Sequence, residues 1–208
     1  MFEEVIPKKA KKALAVLGES GILRDAYLAG GTALALQLGH RVSVDLDFFA
    51  KAEFDEQAIV KQLSSLPIDF ELERLTWRTI LGYINKIRFS LFFYDYSWLE
   101  RPKEYLGIKI AGIKDIAPMK LLAISDRGTK RDFIDLYFIL AIEKIYSLEE
   151  IFYLYDKKFK VLRQNKMHII KSLTYFKEAD EMLMPKMLQE VSWKKVKKFF
   201  ELETKYLI

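Results

Sequence analysis

The chain of 208 residues contains no cysteine, which excludes both a disulfide framework and a thiolate metal site. It has only two histidines, and His40 and His168 stand isolated, so neither reads as a metal ligand. No apolar run reaches the roughly 18 residues needed to span a bilayer, and no apolar leader precedes a cleavage-like site. The expectation is a soluble, cytoplasmic protein with no membrane partner. Internal repeats and low-complexity linkers are missing too. What is present is apolar mass: 51% hydrophobic and 14% aromatic residues, enough for a packed globule and against disorder. The length allows one domain or two small ones.

The net charge of +5 is unevenly spread. Residues 1–159 carry 23 basic and 23 acidic side chains, whereas 160–208 carry 11 and 6. The whole surplus lies in the last quarter of the chain, which points to contact with phosphates.

The chain is organised around residues 26–48. Ala26 to Ala29 is a short apolar run stopping at Gly30-Gly31, a buried strand entering a tight turn. Thr32 opens an Ala/Leu segment that ends at Gly39. Its alternating leucines would fit a strand, but Ala and Leu are strong helix formers, nothing between Thr32 and Leu38 is β-branched, and Gly39 stands where a C-cap is wanted. Helix is the better reading. Val42 to Phe49 then alternates, so a strand there puts Ser43, Asp45 and Asp47 on one face and Val44, Leu46 and Phe48 on the other.

Two carboxylates on one polar face repel unless a cation lies between them. Mg²⁺ is the usual solution, a hard ion that takes one or two carboxylates and fills its other positions with water and phosphate oxygens. The Gly30-Gly31 turn supplies the complementary half. Its backbone can approach a ligand closely, and the free N–H groups of the following helix favour an anion.

Gly30-Gly31 followed by Asp45-Leu46-Asp47-Phe48 resembles the signature of the DNA polymerase beta-like nucleotidyltransferases. The fuller string Gly-Gly-Thr-Ala-Leu-Ala-Leu, then Gly-His-Arg-x-Ser-x-Asp-Leu-Asp-Phe-Phe, is similar to the AbiEii toxin branch, found in abortive-infection and type IV toxin–antitoxin pairs. The resemblance implies an α+β fold: a nucleotidyltransferase-like mixed sheet with flanking helices, followed by a C-terminal helical bundle.

The rest of the chain fits that outline. Lys8 to Leu17 reads as an amphipathic helix with Pro7 at its start. Asp55 opens a helix to about Leu66. Phe70–Leu75, Thr79–Ile84, Ile87–Phe93 and Ile108–Ile110 read as strands, with a turn at Asn85-Lys86. From Asp115 the pattern is helical: Ile116–Ser125, Thr129–Glu143, a helix opened by the Ser147/Glu150 capping box, Asn165–Met182, and a last helix N-capped by Ser192. Residues 1–112 are expected to form the nucleotidyltransferase core, and 113–208 a helical subdomain packed against it and completing the active cleft.

Further candidates carry a bland alternative beside the functional one. Thr32 is a helix cap or a phosphate ligand, Ser43 a small filler or part of the site, and Arg41 a phosphate clamp or the partner of an acid. Lys120 sits in the apolar run Ala117–Ala123, where a lysine usually snorkels to water or has an anionic partner. Asp132 suits a helix first turn and Asp135 is placed to pair with Arg131. The family motifs Asp-Ile-x-x-Met-Lys-Leu and Arg-Asp-x-x-Asp-Leu match 115–121 and 131–136. By that resemblance Lys120 serves the nucleotide phosphates, while Asp132 and Asp135 belong to the active site. The superfamily often adds a third carboxylate from a neighbouring strand, for which Asp95 is the candidate. In the last helix, Lys194, Lys195, Lys197 and Lys198 beside Trp193, Phe199 and Phe200 read as a solvated face over an apolar stripe, or as a guide for RNA.

The expectation is therefore an Mg²⁺-dependent nucleotidyltransferase moving an NMP from an NTP to an acceptor hydroxyl. By resemblance the acceptor is the 3′ end of a tRNA, and a separately encoded antitoxin is the partner. A small-molecule nucleotidyltransferase of the aminoglycoside-modifying kind and a catalytically silent module on the same fold are the rivals. The basic C-terminal quarter counts against the first, and the intact acid pair against the second.

Overall fold

The computed structural model describes residues 1–160 and 165–207. The chain divides into two compact units, Met1–Tyr96 with Arg101–Gly112, and Ser97–Glu100 with Ile113–Ile208.

The first unit is a mixed sheet of seven strands carrying three helices. Its helices are α1 (Lys8–Ser20), α2 (Gly30–Leu38) and α3 (Glu56–Ser64). Its strands are β1 (Ala26–Leu28), β2 (Leu46–Ala50), β3 (Phe70–Thr76), β4 (Thr79–Ile84), β5 (Ile87–Phe93), β6 (Lys103–Tyr105) and β7 (Ile108–Ile110), in the order β3-β4-β5-β2-β1-β7-β6. The β2–β5 and β1–β7 pairs are parallel and the others antiparallel. Leu46, Phe48, Phe89, Leu91, Ile80 and Ile84 fill the core with residues of one strand parity, which is the period-2 burial that a half-buried sheet demands.

Helix α2 is buried almost all round, with Thr32, Ala33, Leu34, Ala35, Leu36 and Leu38 inside. That explains why its sequence shows no helical amphipathicity: a helix without a wet face has no period to display. Gly39 caps it in the left-handed conformation at φ 67°, as expected from its place after the last leucine. Asn85 and Lys86 form the two-residue turn between β4 and β5, both with positive φ, as primed hairpin turns require.

The second unit is helical. It contains α4 (Ile113–Asp126), α5 (Lys130–Tyr137), α6 (Leu148–Lys158), α7 (Lys166–Ser172), α8 (Lys177–Glu181) and α9 (Trp193–Glu203). Helix α5 continues into a wider π-type stretch at Phe138–Ile142. The reciprocal Ser147/Glu150 capping box opens α6, and the Ser192 hydroxyl caps α9. Phe133 gathers Phe176, Trp193 and Phe200 around it with ring centroids 5.2–5.8 Å apart.

Several expectations are corrected. The strand through 42–49 begins only at Leu46. Val44 is exposed and Ser43 buried, because side chains ahead of the strand follow local hydrogen bonds and not the pleat. Helix α4 starts at Ile113, before the expected Ile116, where Glu100 Oε1 accepts the Lys114 N–H at 2.9 Å and satisfies a first-turn donor. The single helix expected over 165–182 is two, separated at 173–176, where Phe176 turns its ring into the Phe133 cluster. Strand β6, three residues long and half exposed, carries no readable pattern and was not expected.

Candidate active site

The site in the first unit grows from the way α2 begins. Gly30 has φ +66°, a conformation that costs other residues energy. A Cβ added there would stand 3.3 Å from Asp47 Oδ2. The Ala29 N–H donates to the Asp47 carbonyl at 3.0 Å. The glycine bend therefore lies directly against Asp47, in both backbone and side chain.

Gly31 is confined from the other side. A Cβ there would collide with the Arg41 guanidinium and stand 3.3 Å from Ser43 Oγ. Arg41 is itself buried, and its Nη1 donates to the Val42 carbonyl at 3.1 Å. The Thr32 hydroxyl lies 2.9 Å from Ser43 Oγ and donates to the Asp45 carbonyl at 2.6 Å. Thus the start of α2 is fastened to the segment carrying both acids. Gly30, Gly31, Thr32, Arg41, Ser43, Asp45 and Asp47 form one neighbourhood, which the thirteen residues between Gly31 and Asp45 fold back to make.

Sequence reasoning missed one member. Parallel pairing of β2 with β5 sets Ser90 opposite Asp47, on the same face of the sheet. Ser90 is 2% exposed, and its Oγ donates to Asp47 Oδ1 at 2.5 Å. The signal was a small hydroxyl at the centre of the otherwise apolar run Phe89–Phe92. Asp95, by contrast, is exposed and lies beyond the end of β5. Among the described residues, no cluster of three or more acids or histidines suited to a metal occurs.

The donor chemistry fits a hard divalent cation. Asp45 and Asp47 offer carboxylate oxygens, and Gly30 leaves clear the space beside Asp47 Oδ2 that a Cβ would fill. Magnesium is commonly held by only one or two protein carboxylates.

Lys120, Asp132 and Asp135 meet in the second unit. Lys120 Nζ lies 2.8 Å from Asp132 Oδ1 and 2.6 Å from Asp135 Oδ2, with all three side chains buried. The anionic partners that a buried lysine requires are therefore in the protein. Asp132 also accepts from Arg127 Nε at 3.0 Å and from the Thr129 hydroxyl at 2.6 Å, while Thr129 caps the helix by accepting the Asp132 N–H. Burial pushes the Asp132 carboxyl up, but Lys120 and Arg127 outweigh it and hold the acid well below the usual carboxylate range. A second buried pair joins Lys158 to Asp115 at 2.6 Å, and the same carboxylate accepts the N–H groups of Leu99 and Glu100.

The aromatic residues of α9 are used internally. Trp193 packs on Phe133 and Phe176 and donates its indole N–H to Asp180 at 2.6 Å, and Lys197 pairs with the same acid. Trp193 and Lys197 together hold the Asp180 carboxyl below its ordinary value. Lys194, Lys195 and Lys198 remain exposed. Arg163, in the same basic quarter, lies outside the described residues.

Comparison with known proteins points to the same stretch of the chain. The model of the nucleotidyl transferase AbiEii toxin family, type IV toxin–antitoxin system, matches residues 12–77, the stretch holding the glycine bend and both acids. An uncharacterized protein of Aquifex aeolicus (strain VF5) is 39% identical over 96% of each chain. Among solved structures, JHP933 from Helicobacter pylori is 20% identical with a TM-score of 0.60, covering 97% of this chain and 93% of that one. MenT4, a nucleotidyltransferase toxin from Mycobacterium tuberculosis H37Rv, is 13% identical with a TM-score of 0.53, covering 97% and 85%. At these identities the two structures speak for the fold. The fold and the matched segment together define a nucleotidyltransferase. More narrowly, residues 12–77 match the AbiEii nucleotidyl transferase toxin family, and over nearly its whole length the chain belongs to one family with the Aquifex aeolicus protein.

Proposed function

We propose that the protein transfers a nucleoside monophosphate from an NTP to the hydroxyl of an RNA, the 3′ end of a tRNA, with Mg²⁺ bound by Asp45 and Asp47. The observation that carries this reading is the glycine bend set against Asp47, with Gly30 3.3 Å from its Oδ2 at the Cβ position. The N–H groups at the start of α2 attract the triphosphate, since helix N-termini favour anions. Gly31 lets the phosphates approach the backbone, and Arg41, Thr32 and Ser43 fix that turn's shape. When bound, the metal supplies charge neutralisation at the α-phosphate as pyrophosphate departs. The protein's own share is position and field, as is general for phosphoryl transfer.

Lys120, Asp132 and Asp135 enter the proposal as a second catalytic group carried by the helical unit. The basic last quarter, with Lys194, Lys195 and Lys198 exposed, supports a polyanionic acceptor over a small cationic one. No helix among the described residues is long and apolar enough to cross a membrane; a cytoplasmic site of action and a separately encoded antitoxin complete the proposal.

Purified protein incubated with each labelled NTP, Mg²⁺ and total RNA tests it. Label moving to RNA of tRNA size, and lost in Asp47→Asn, is the expected result. Label moving only to small molecules, or no transfer from any NTP, would overturn it.

A further inference from the structure

Ser90 was not among the residues the sequence singled out, yet its surroundings are specific. It lies on β5 in register with Asp47, is almost fully buried, and donates to Asp47 Oδ1 at 2.5 Å. The two oxygens of Asp47 therefore have different environments: Oδ1 holds a hydroxyl hydrogen, while Oδ2 faces the cleared space at Gly30. We infer that Ser90 is a positioning residue, which locks the Asp47 carboxylate so that Oδ2 is presented beside the glycine bend to a divalent cation. This rests on the reading of Asp45 and Asp47 as the metal-binding pair.

Three physical arguments support the assignment. A carboxylate on a strand turns about two side-chain torsions, and a short hydrogen bond from a buried neighbour removes that freedom before the metal arrives. The donor is neutral, so it orients the acid without competing for the charge that the cation must find. A lysine in its place would satisfy the carboxylate outright, as Lys120 does for Asp135. An acid in its place would lie directly beside Asp47, and two adjacent carboxylates raise each other's proton affinity. The hydroxyl leaves a site of two carboxylates, in keeping with Asp95 lying exposed beyond the strand.

The test is Mn²⁺ affinity, read by electron paramagnetic resonance on the full-length protein without nucleotide, beside the thermal midpoint of each variant without metal. Losing such an orienting partner weakens metal binding by about 10- to 100-fold, so Ser90→Ala is expected near the lower end of that range. Ser90→Thr, which keeps the hydroxyl, is expected to bind Mn²⁺ within about threefold of the parent. Asp47→Asn is the reference that loses binding. If Asp47→Asn loses Mn²⁺ while Ser90→Ala binds as the parent does, the role of Ser90 is overturned and the acid pair stands. A loss in Ser90→Thr as large as in Ser90→Ala overturns it equally. If Asp47→Asn binds as the parent does, the metal-site reading itself falls, and the role of Ser90 with it. Should Ser90→Ala lose its fold, Ser90→Cys, close in volume and a poor donor, takes its place with the same expected loss.

Discussion

Asp47 and Asp132 are both aspartates held by neighbours, and the difference between those neighbours separates the two units. Asp132 is enclosed by Lys120, Arg127 and Thr129, and Asp115 by Lys158 and two backbone N–H groups. Their charge is balanced inside the protein. Asp47 is held by one neutral hydroxyl and a missing Cβ. Burying an ion is tolerable when a partner is built in, whereas Asp47, met among the described residues by a neutral donor beside the glycine bend, suits the proposed role of taking up a cation.

The largest effect expected from that contrast is on chemistry. Asp47→Asn should lower the rate of nucleotidyl transfer by about 10³-fold or more, the scale of losing one electrostatic stabiliser at a reacting centre, with the thermal midpoint unchanged. A retained rate would erase the distinction between the two aspartates. Next in size is the effect on stability from the neutralised side. Lys158→Met leaves Asp115 buried without its cation and should cost about 3–5 kcal/mol in urea unfolding, while the folded fraction keeps its rate. A loss below about 1 kcal/mol would show that the pair is worth little more than a surface one.

Smaller again is the strain at the bend. Gly30→Ala should destabilise by about 1–2 kcal/mol through the positive φ and reduce Mn²⁺ affinity by crowding Asp47 Oδ2. Unchanged affinity would mean that the cleared space is not used. The mildest test is pH. Asp132 titrates in the folded chain below its ordinary 3.8. Its contribution is therefore fully present above that value and is lost as pH falls through it toward the folded value. The stability gap between the parent and Asp132→Asn should be constant from pH 7 to 5 and shrink below pH 4. A gap that widens on acidification would reverse the sign assigned to Lys120 and Arg127.

Much of the first unit was legible in the sequence. Period-2 patterns in Thr79–Ile84 and Ile87–Phe93 are imposed by a sheet with one buried face, and Gly39 and Asn85-Lys86 mark conformations that few residues accept. The glycine bend and the acids were readable as types with a spacing. Ser90 was not, because its role depends on parallel pairing between strands forty residues apart, and register of that kind leaves no local trace. The partners of Lys120 were hidden for a similar reason: helical spacing names Arg131 for Asp135 but gives no sign of the buried lysine on another helix, which lies 2.6 Å from it. The irregular path from Val42 to Asp45 was misread because alternation of residue type persists there without a strand. In α9 the sequence allowed an apolar stripe under a solvated face or a platform for bases, and Trp193 is committed to Phe133, Phe176 and Asp180.

The assignment of Ser97–Glu100 to the helical unit, with Arg101–Gly112 returning to the sheet, has a consequence for how the molecule could be taken apart. The peptide that precedes β6 is clamped by the carboxylate opening α4 and by the lysine closing α6. No single scission of the backbone yields both halves intact. A fragment starting at 113 would lose the amides that Asp115 grips, and one ending at 96 would lose two strands of its sheet. The helical half is thus interlaced with the sheet half along the sequence.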